Sequence, residues 1–171
     1  MNAQTKAFIQ LMKHPFNFRM FLLLKLPSAF FAGVRLRDID EKHCVVTVPY
    51  KWFSQNPFKS TYFACLSMAA EMSTGALAMA HLHKRNPAVS MLVVKVESEY
   101  FKKATGRTTF ICEDGETLFN AIEESTATGE ARIVRARSIG RNEKEEVVAA
   151  FYITWSFKVK KKPSGTEVDM I

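Results

Sequence analysis

Residues 61–83, TYFACLSMAAEMSTGALAMAHLH, decide how the rest of the chain has to fold. The stretch has no proline, and its Ala, Met and Leu residues are good helix formers. Apolar residues surround this helix on nearly every side. A helix without a polar face has to be buried, so the neighbouring segments must cover it.

Those segments show strand periodicity. Residues 34–39 and 44–50 are short, β-branched and alternating, and the polar run Asp40-Glu41-Lys42 between them predicts a hairpin. Downstream, Leu92, Val94, Val96 and Tyr100 fall on one face of a strand. On its other face Val89, Met91 and Val93 give way to Lys95, Glu97 and Glu99. Residues 105–113 predict another strand and 116–125 a short helix. Residues 131–141 and 145–157 form a long hairpin turned at Arg141, Asn142 and Glu143. In its second arm Val147, Ala149, Phe151, Ile153, Trp155 and Phe157 share one side. The sum is an α+β architecture of about six mostly antiparallel strands, with one long helix between the second and third. A flat sheet would leave one flank of that helix wet, so the sheet has to curl around it.

Upstream, apolar residues recur at helical spacing over 4–32, which predicts short amphipathic helices broken by Pro15 and Pro27 that cap the core. The chain thus divides into a helical extension, 1–32, an α+β domain, 33–159, and a basic tail, 160–171. In the tail Lys160, Lys161 and Lys162 precede Pro163-Ser164-Gly165.

Composition narrows the function classes. With 171 residues, 47% hydrophobic and 24% charged, the chain suits one globular core that needs no disulfide or metal. Its three cysteines stand in apolar stretches and read as reduced, buried thiols, which implies the cytoplasm. The net charge of +7 favours an anionic partner. No aromatic-basic signature of a nucleic-acid motif accompanies it, and nucleic acid is not expected. The Phe- and Leu-rich run 18–31 is interrupted by Lys25 and Pro27 and is too short to span a bilayer, so no membrane partner is expected either.

Other motifs are excluded in the same way. His81 and His83 are out of phase for a metal pair on one helix face, and no metal is expected. Ser67 and Ser73 lack the strand-turn-helix elbow of a serine hydrolase. Gly106 and Gly115 stand alone, without a phosphate-loop pattern.

One residue is out of place on the apolar helix: Glu71, among Met68, Ala69, Ala70 and Met72. A buried carboxylate costs several kcal/mol unless it is paired, hydrogen-bonded or protonated. Eight residues upstream, at Tyr62, Phe63 and Ala64, the helix begins, and its first amides lack intrahelical partners. Acyl transfer needs both elements, donors for the developing oxyanion and a carboxylate to attack or to activate water. Eight residues of helix span about 12 Å, so a single chain cannot bring both to one carbonyl. Two antiparallel helices related by a two-fold axis can, which predicts a homodimer with two equivalent sites; whether dimers pair again is left open.

Asn56, Tyr62-Phe63-Ala64 and Glu71 resemble the motif of hotdog-fold thioesterases of the phenylacetate-pathway, PaaI-like type: Asn, then His-Gly-Gly at the helix start, then Asp or Glu. The flanking residues 56–64 and 70–75 look closer still to a branch of that superfamily grouped as a domain of unknown function, DUF4442. The resemblance implies a hotdog fold and hydrolysis of an acyl-CoA thioester, with coenzyme A entering as part of the substrate and no separate cofactor. Glu71 would be general base or nucleophile, the amides of Phe63 and Ala64 the oxyanion hole, and Asn56 a positioning group. Ser60, Thr61, Tyr62, Gly75, Lys103 and Arg107 would contact substrate, and Lys102, Arg135 and Arg137 are further candidates for its phosphates. Tyr62-Phe63-Ala64 departs from His-Gly-Gly, and that change motivates a second reading, a hotdog protein that holds acyl-CoA or fatty acid without turnover.

Overall fold

The computed structural model describes residues 3–160. Three short helices come first, α1 (Ala3–Lys13), α2 (Pro15–Lys25) and α3 (Pro27–Ala32). Pro15 and Pro27 end one helix and also open the next. At the first helical position the missing N–H has no partner to lose and the fixed φ is already helical. Gly33, at φ +83°, closes α3 by donating its amide to the carbonyls of Ala29 and Phe30.

The expected hairpin follows as β1 (Arg35–Ile39) and β2 (Cys44–Val48). After a single 3-10 turn at Trp52–Ser54 comes the long helix α4 (Phe63–Leu82). The remaining elements are β3 (Val89–Tyr100), β4 (Thr108–Cys112), α5 (Gly115–Thr128), β5 (Arg132–Arg141) and β6 (Val147–Val159). The turn between β5 and β6 spans 142–146, where Asn142 Oδ1 accepts the amides of Lys144 and Glu146.

All six strands form one antiparallel sheet in the order β1-β2-β4-β5-β6-β3. The helix therefore leaves β2 at one side of the sheet and delivers the chain to β3 at its far edge. On the way it lies against β2, β4, β5 and β6. Leu66, Ala69, Ala70, Met72, Ala76 and Leu77 are buried there against Phe110, Phe151, Ile153 and Phe157. Two polar links fix helix to sheet. The Ser73 and Ser138 hydroxyls meet at 2.8 Å, and Trp155 Nε1 donates to Thr74 Oγ1 at 3.0 Å. By length and composition α4 is the helix among the described residues that could cross a bilayer, yet it is the core of this sheet. Cys44, Cys65 and Cys112 are all buried free thiols.

One expectation needs adjustment. The face assignment for β3 fails halfway along, because Val93 pairs with Trp155 while Lys95, not Val94, pairs with Thr154. This bulge at Val94 exchanges the two faces. Met91, Val93, Val96, Ser98 and Tyr100 consequently oppose the inward-facing Phe157, Trp155, Ile153, Phe151 and Ala149, and Leu92 points outward. Unbroken alternation cannot register one extra residue. The basic tail, 160–171, lies outside the described residues except for Lys160, whose amide donates to the Ala88 carbonyl at 2.8 Å.

Leu77 is fully buried at the centre of this packing. Leu77→Ala is expected to lower unfolding stability by about 2–5 kcal/mol in chemical denaturation, through lost contacts and an unfilled cavity.

Candidate functional site

The start of α4 is pinned to its surroundings by the backbone on either side. The Thr61 amide and hydroxyl both donate to the Ala104 carbonyl, at 2.8 and 3.1 Å. The Tyr62 amide donates to the Ser54 carbonyl at 2.7 Å. Before it, residues 56–60 fold around the Asn56 side chain. Its Oδ1 accepts the amides of Phe58 and Ser60 and the Ser60 hydroxyl, at 3.0 to 3.2 Å. The Asn56 carbonyl oxygen is thus consumed in shaping the loop, which leaves its Nδ2 hydrogens as the groups it can offer a ligand.

Tyr62 is the residue that caps α4, and its side chain makes no capping hydrogen bond. The next two amides, of Phe63 and Ala64, donate to no group among the described residues. They are first-turn orphans at the positive end of a twenty-residue helix. Two free donors on consecutive residues suit an oxyanion.

A cleft of 550 Å³ opens beside them. Asn56, Ser60, Thr61, Tyr62, Phe63 and Lys103 line it, so six of the ten residues singled out in the sequence converge there. Pro57 and Phe58 of the same loop line it too, and Leu66, Tyr100, Phe101 and Ala104, which were not expected, add to the wall. Their signal was weak, an aromatic pair at the end of a strand. Lys102 also lines the cleft, although its ammonium is held by Glu146 at 2.6 Å. Lys103 reaches only the Phe58 carbonyl, at 3.4 Å. Arg107 is not part of the cleft, because its guanidinium is drawn to Glu143 at 3.2 Å. Arg135 and Arg137 sit on the outward face of β5, where Arg135 lies over the Tyr152 ring and pairs with Glu97.

Glu71 and Gly75 are elsewhere, two and three helical turns further along α4. Glu71 is half-buried, on the one stripe of the helix that the sheet leaves partly open, with Ala64, Ser67 and Met68. Its carboxyl has neither a hydrogen bond nor an ion pair among the described residues, and burial pushes its pKa up. Gly75 is what gives it room. A Cβ at that position would stand 2.9 Å from Glu71 Oε1 and 3.3 Å from the Trp155 ring. The carboxyl thus lies over the same glycine as the Trp155 ring, in a place whose burial makes its ionised form a better base. The indole was read from the sequence as core; its place beside the acid depends on β6 packing over α4.

The site therefore has two halves. One is a pair of free amides, with Phe63 but not Ala64 in the lining of an aromatic cleft with a lysine rim; the other is a carboxylate, without a partner among the described residues, about 12 Å along the helix.

A comparison with protein-family models matches residues 17–157 to the family described as a domain of unknown function, DUF4442. Among solved structures the chain resembles a Pseudomonas aeruginosa protein of unknown function described as a probable thioesterase. That pair has 17% identity and a TM-score of 0.73, covering 94% of this chain and 99% of the other. A Haemophilus influenzae thioesterase aligns with 11% identity and a TM-score of 0.61, over 85% of this chain and 92% of that one. The E. coli PaaI protein of the phenylacetic acid degradation operon aligns with 12% identity and a TM-score of 0.63, over 94% and 99%. No curated protein matches the chain. At these identities the likeness is one of fold, and the fold is the hotdog: an antiparallel sheet curled around a central helix.

The Glu71 environment has a consequence for stability. A carboxyl whose folded-state pKa is raised favours the protonated acid on folding, so its ionisation at higher pH weakens the folded state. Glu71→Gln is therefore expected to melt at a higher temperature than the parent at neutral pH. The difference should shrink as pH falls through the raised Glu71 value, which thermal melts across a pH series would measure.

Proposed function

This chain belongs to the DUF4442 family, and from that premise we propose that it is a hydrolase, an acyl-CoA thioesterase whose active site is completed by a second copy of the chain. The observation that supports this reading is the unpaired, desolvated carboxylate of Glu71 on the same helix as two free amides, too far away to meet them within one protomer.

The edge of the sheet supplies the place for a second copy. β3 is twelve residues long and pairs only with β6. An open edge of that length is a template for another strand. On its inward-facing side Val96 and Tyr100 stay 48% and 46% exposed. A homodimer formed edge to edge through β3 covers these groups and brings the two α4 helices antiparallel. Each Glu71 then faces the Phe63 and Ala64 amides of the other subunit, giving two sites per dimer.

In each site the thioester carbonyl oxygen is received by those two amides. Glu71 takes a proton from water as the water oxygen bonds to the carbonyl carbon, and the amides hold the oxyanion that forms. Collapse of this intermediate breaks the carbon–sulfur bond, and the departing thiolate recovers the proton from Glu71. The products are a free carboxylic acid and coenzyme A. The acyl group lies among Phe58, Tyr62, Phe63, Tyr100 and Phe101, and Lys103, which pairs with no carboxylate among the described residues, meets the phosphates at the rim. The three buried free thiols fit a reducing cytoplasm.

Purified protein offered short, medium, long and aromatic acyl-CoAs is expected to release free thiol, and Glu71→Gln to lower kcat by about 10²- to 10⁴-fold. The parent rate should fall with pH through the raised Glu71 pKa, because only the ionised carboxylate accepts the water proton. Silence across the panel, or a fully active Glu71→Gln, removes the hydrolase reading. Thermal stabilisation by acyl-CoA without thiol release would leave a binding protein in its place.

The shared site has its own test. Phe63→Pro deletes one amide donor at the first helical position, where proline is well accommodated, and Tyr62 before it already has φ −61° and ψ 135°, as a residue preceding proline requires. That loss should cost about 10²- to 10³-fold in kcat, with Phe63→Ala as the side-chain control. Unfolding and refolding the Glu71→Gln and Phe63→Pro variants together should restore about a quarter of parental activity, since half of the dimers then carry one intact site. No recovery in refolded mixed dimers would place both groups in one protomer's site.

A further inference from the structure

The helical extension presents a surface that the site does not use. On α2, Phe18 and Leu22 face the core and are buried, as expected of a capping helix. The opposite side is not polar. Phe16, Met20, Leu23 and Leu24 fall on one helical face, and Phe16 and Leu24 are 67% and 71% exposed. This helix is apolar on both faces, and the described residues cover one of them.

Its flank is strongly basic. Lys13, Arg19, Arg35 and Arg37 line a 300 Å³ cleft between α1, α2 and β1. Arg19 is stacked over the Phe30 ring with its Cζ 3.7 Å from the ring centre, and it shares the cleft with Arg35. Burial and the neighbouring Arg35 charge both pull the Arg19 pKa down, as happens where cations gather without a counter-ion. Arg19, Arg35 and Arg37 pair with no carboxylate among the described residues, and Lys13 reaches only Asp38, at 2.8 Å. Asp38 is also the first acidic residue in the sequence. The first 37 residues hold six Lys and Arg and no Asp or Glu.

We propose that the α2 face docks on a bilayer surface carrying anionic headgroups, with Phe16, Leu23 and Leu24 in the headgroup–acyl boundary and the Arg19–Arg35–Arg37 cleft receiving headgroup phosphates. Exposed Phe and Leu beside uncompensated cations is the pattern of an interfacial helix. Charge decides against a second copy on this face, because two such surfaces brought together set Arg and Lys against Arg and Lys with no acidic residue from the first 37 to offset them. The sequence reading rules out a spanning segment and expects no membrane partner. The outward exposure of α2 is the observation it lacked. Docking here is independent of the thioesterase reading, since α2 contributes nothing to the cleft at the start of α4.

The full chain is to be co-sedimented with vesicles of phosphatidylcholine alone and of phosphatidylcholine with phosphatidylglycerol. Binding is expected to the phosphatidylglycerol vesicles, to weaken steeply with salt, and to fall about tenfold in the double variant Phe16→Gln/Leu24→Gln. Arg35→Glu, on an exposed strand position away from the core, should weaken it to a similar degree; circular dichroism checks both variants for folding. Failure to bind any vesicle overturns the proposal. So does equal binding to both lipid compositions, or binding that survives both variants. A drop in oligomeric mass in the α2 variant would assign the face to a second copy and likewise overturn it. Thiol release by these variants should match the parent, so a failure here leaves the enzymatic reading to its own assay.

Discussion

A twenty-residue helix with almost no polar face cannot be left in water, and most of this structure follows from hiding it. One flat sheet face would not suffice, so six strands curl, and the helix lies chiefly against β2, β4, β5 and β6. The chain order follows too. Because the helix spans the sheet from the β2 side to the far edge, β3 is delivered beyond β6 and not beside β2. The edge so created is long and, among the described strands, unpaired on one side.

The same burial creates the chemistry. Glu71 occupies a position that apolar residues fill everywhere nearby, and the glycine one turn on, with the indole of Trp155, gives its carboxyl a place but no partner. A fold built only for stability would put an apolar side chain there, because an unpaired, partly buried carboxylate opposes folding. Meanwhile the helix start is held so that Thr61 and Tyr62 spend their amides on Ala104 and Ser54, while Phe63 and Ala64 keep theirs free. Burial of the middle of α4 and anchoring of its beginning thus leave a carboxylate and two free amides on one rigid element. Helical rise sets the two about 12 Å apart, and the proposed homodimer is the arrangement that would bring them to one carbonyl.

Replacement of His-Gly-Gly by Tyr62-Phe63-Ala64 matters less to this arrangement than the residue types suggest. The donors in question are backbone amides, which the replacement does not alter, and the Phe63 ring is 56% exposed. What changes is the lining of the cleft, which gains two aromatic rings in contact with each other, 4.8 Å between centres.

Sequence alone determined the fold class, the burial of α4, the succession of strands and the oddity of Glu71, because hydrophobic periodicity and a misplaced charge are local properties. It also placed Asn56, Ser60, Thr61, Tyr62 and Phe63 together, since they are neighbours along the chain. Only the tertiary structure decided what depends on long-range packing. The bulge at Val94 reverses the faces of β3, an effect of strand register that alternation cannot encode. Tyr100 and Phe101 join the cleft and Arg107 leaves it, because a residue's surroundings are set by which strand lies beside it. The outer face of α2 stays exposed because none of the described elements folds back across it, and a pattern of apolar residues cannot say on its own which of two faces the protein will cover.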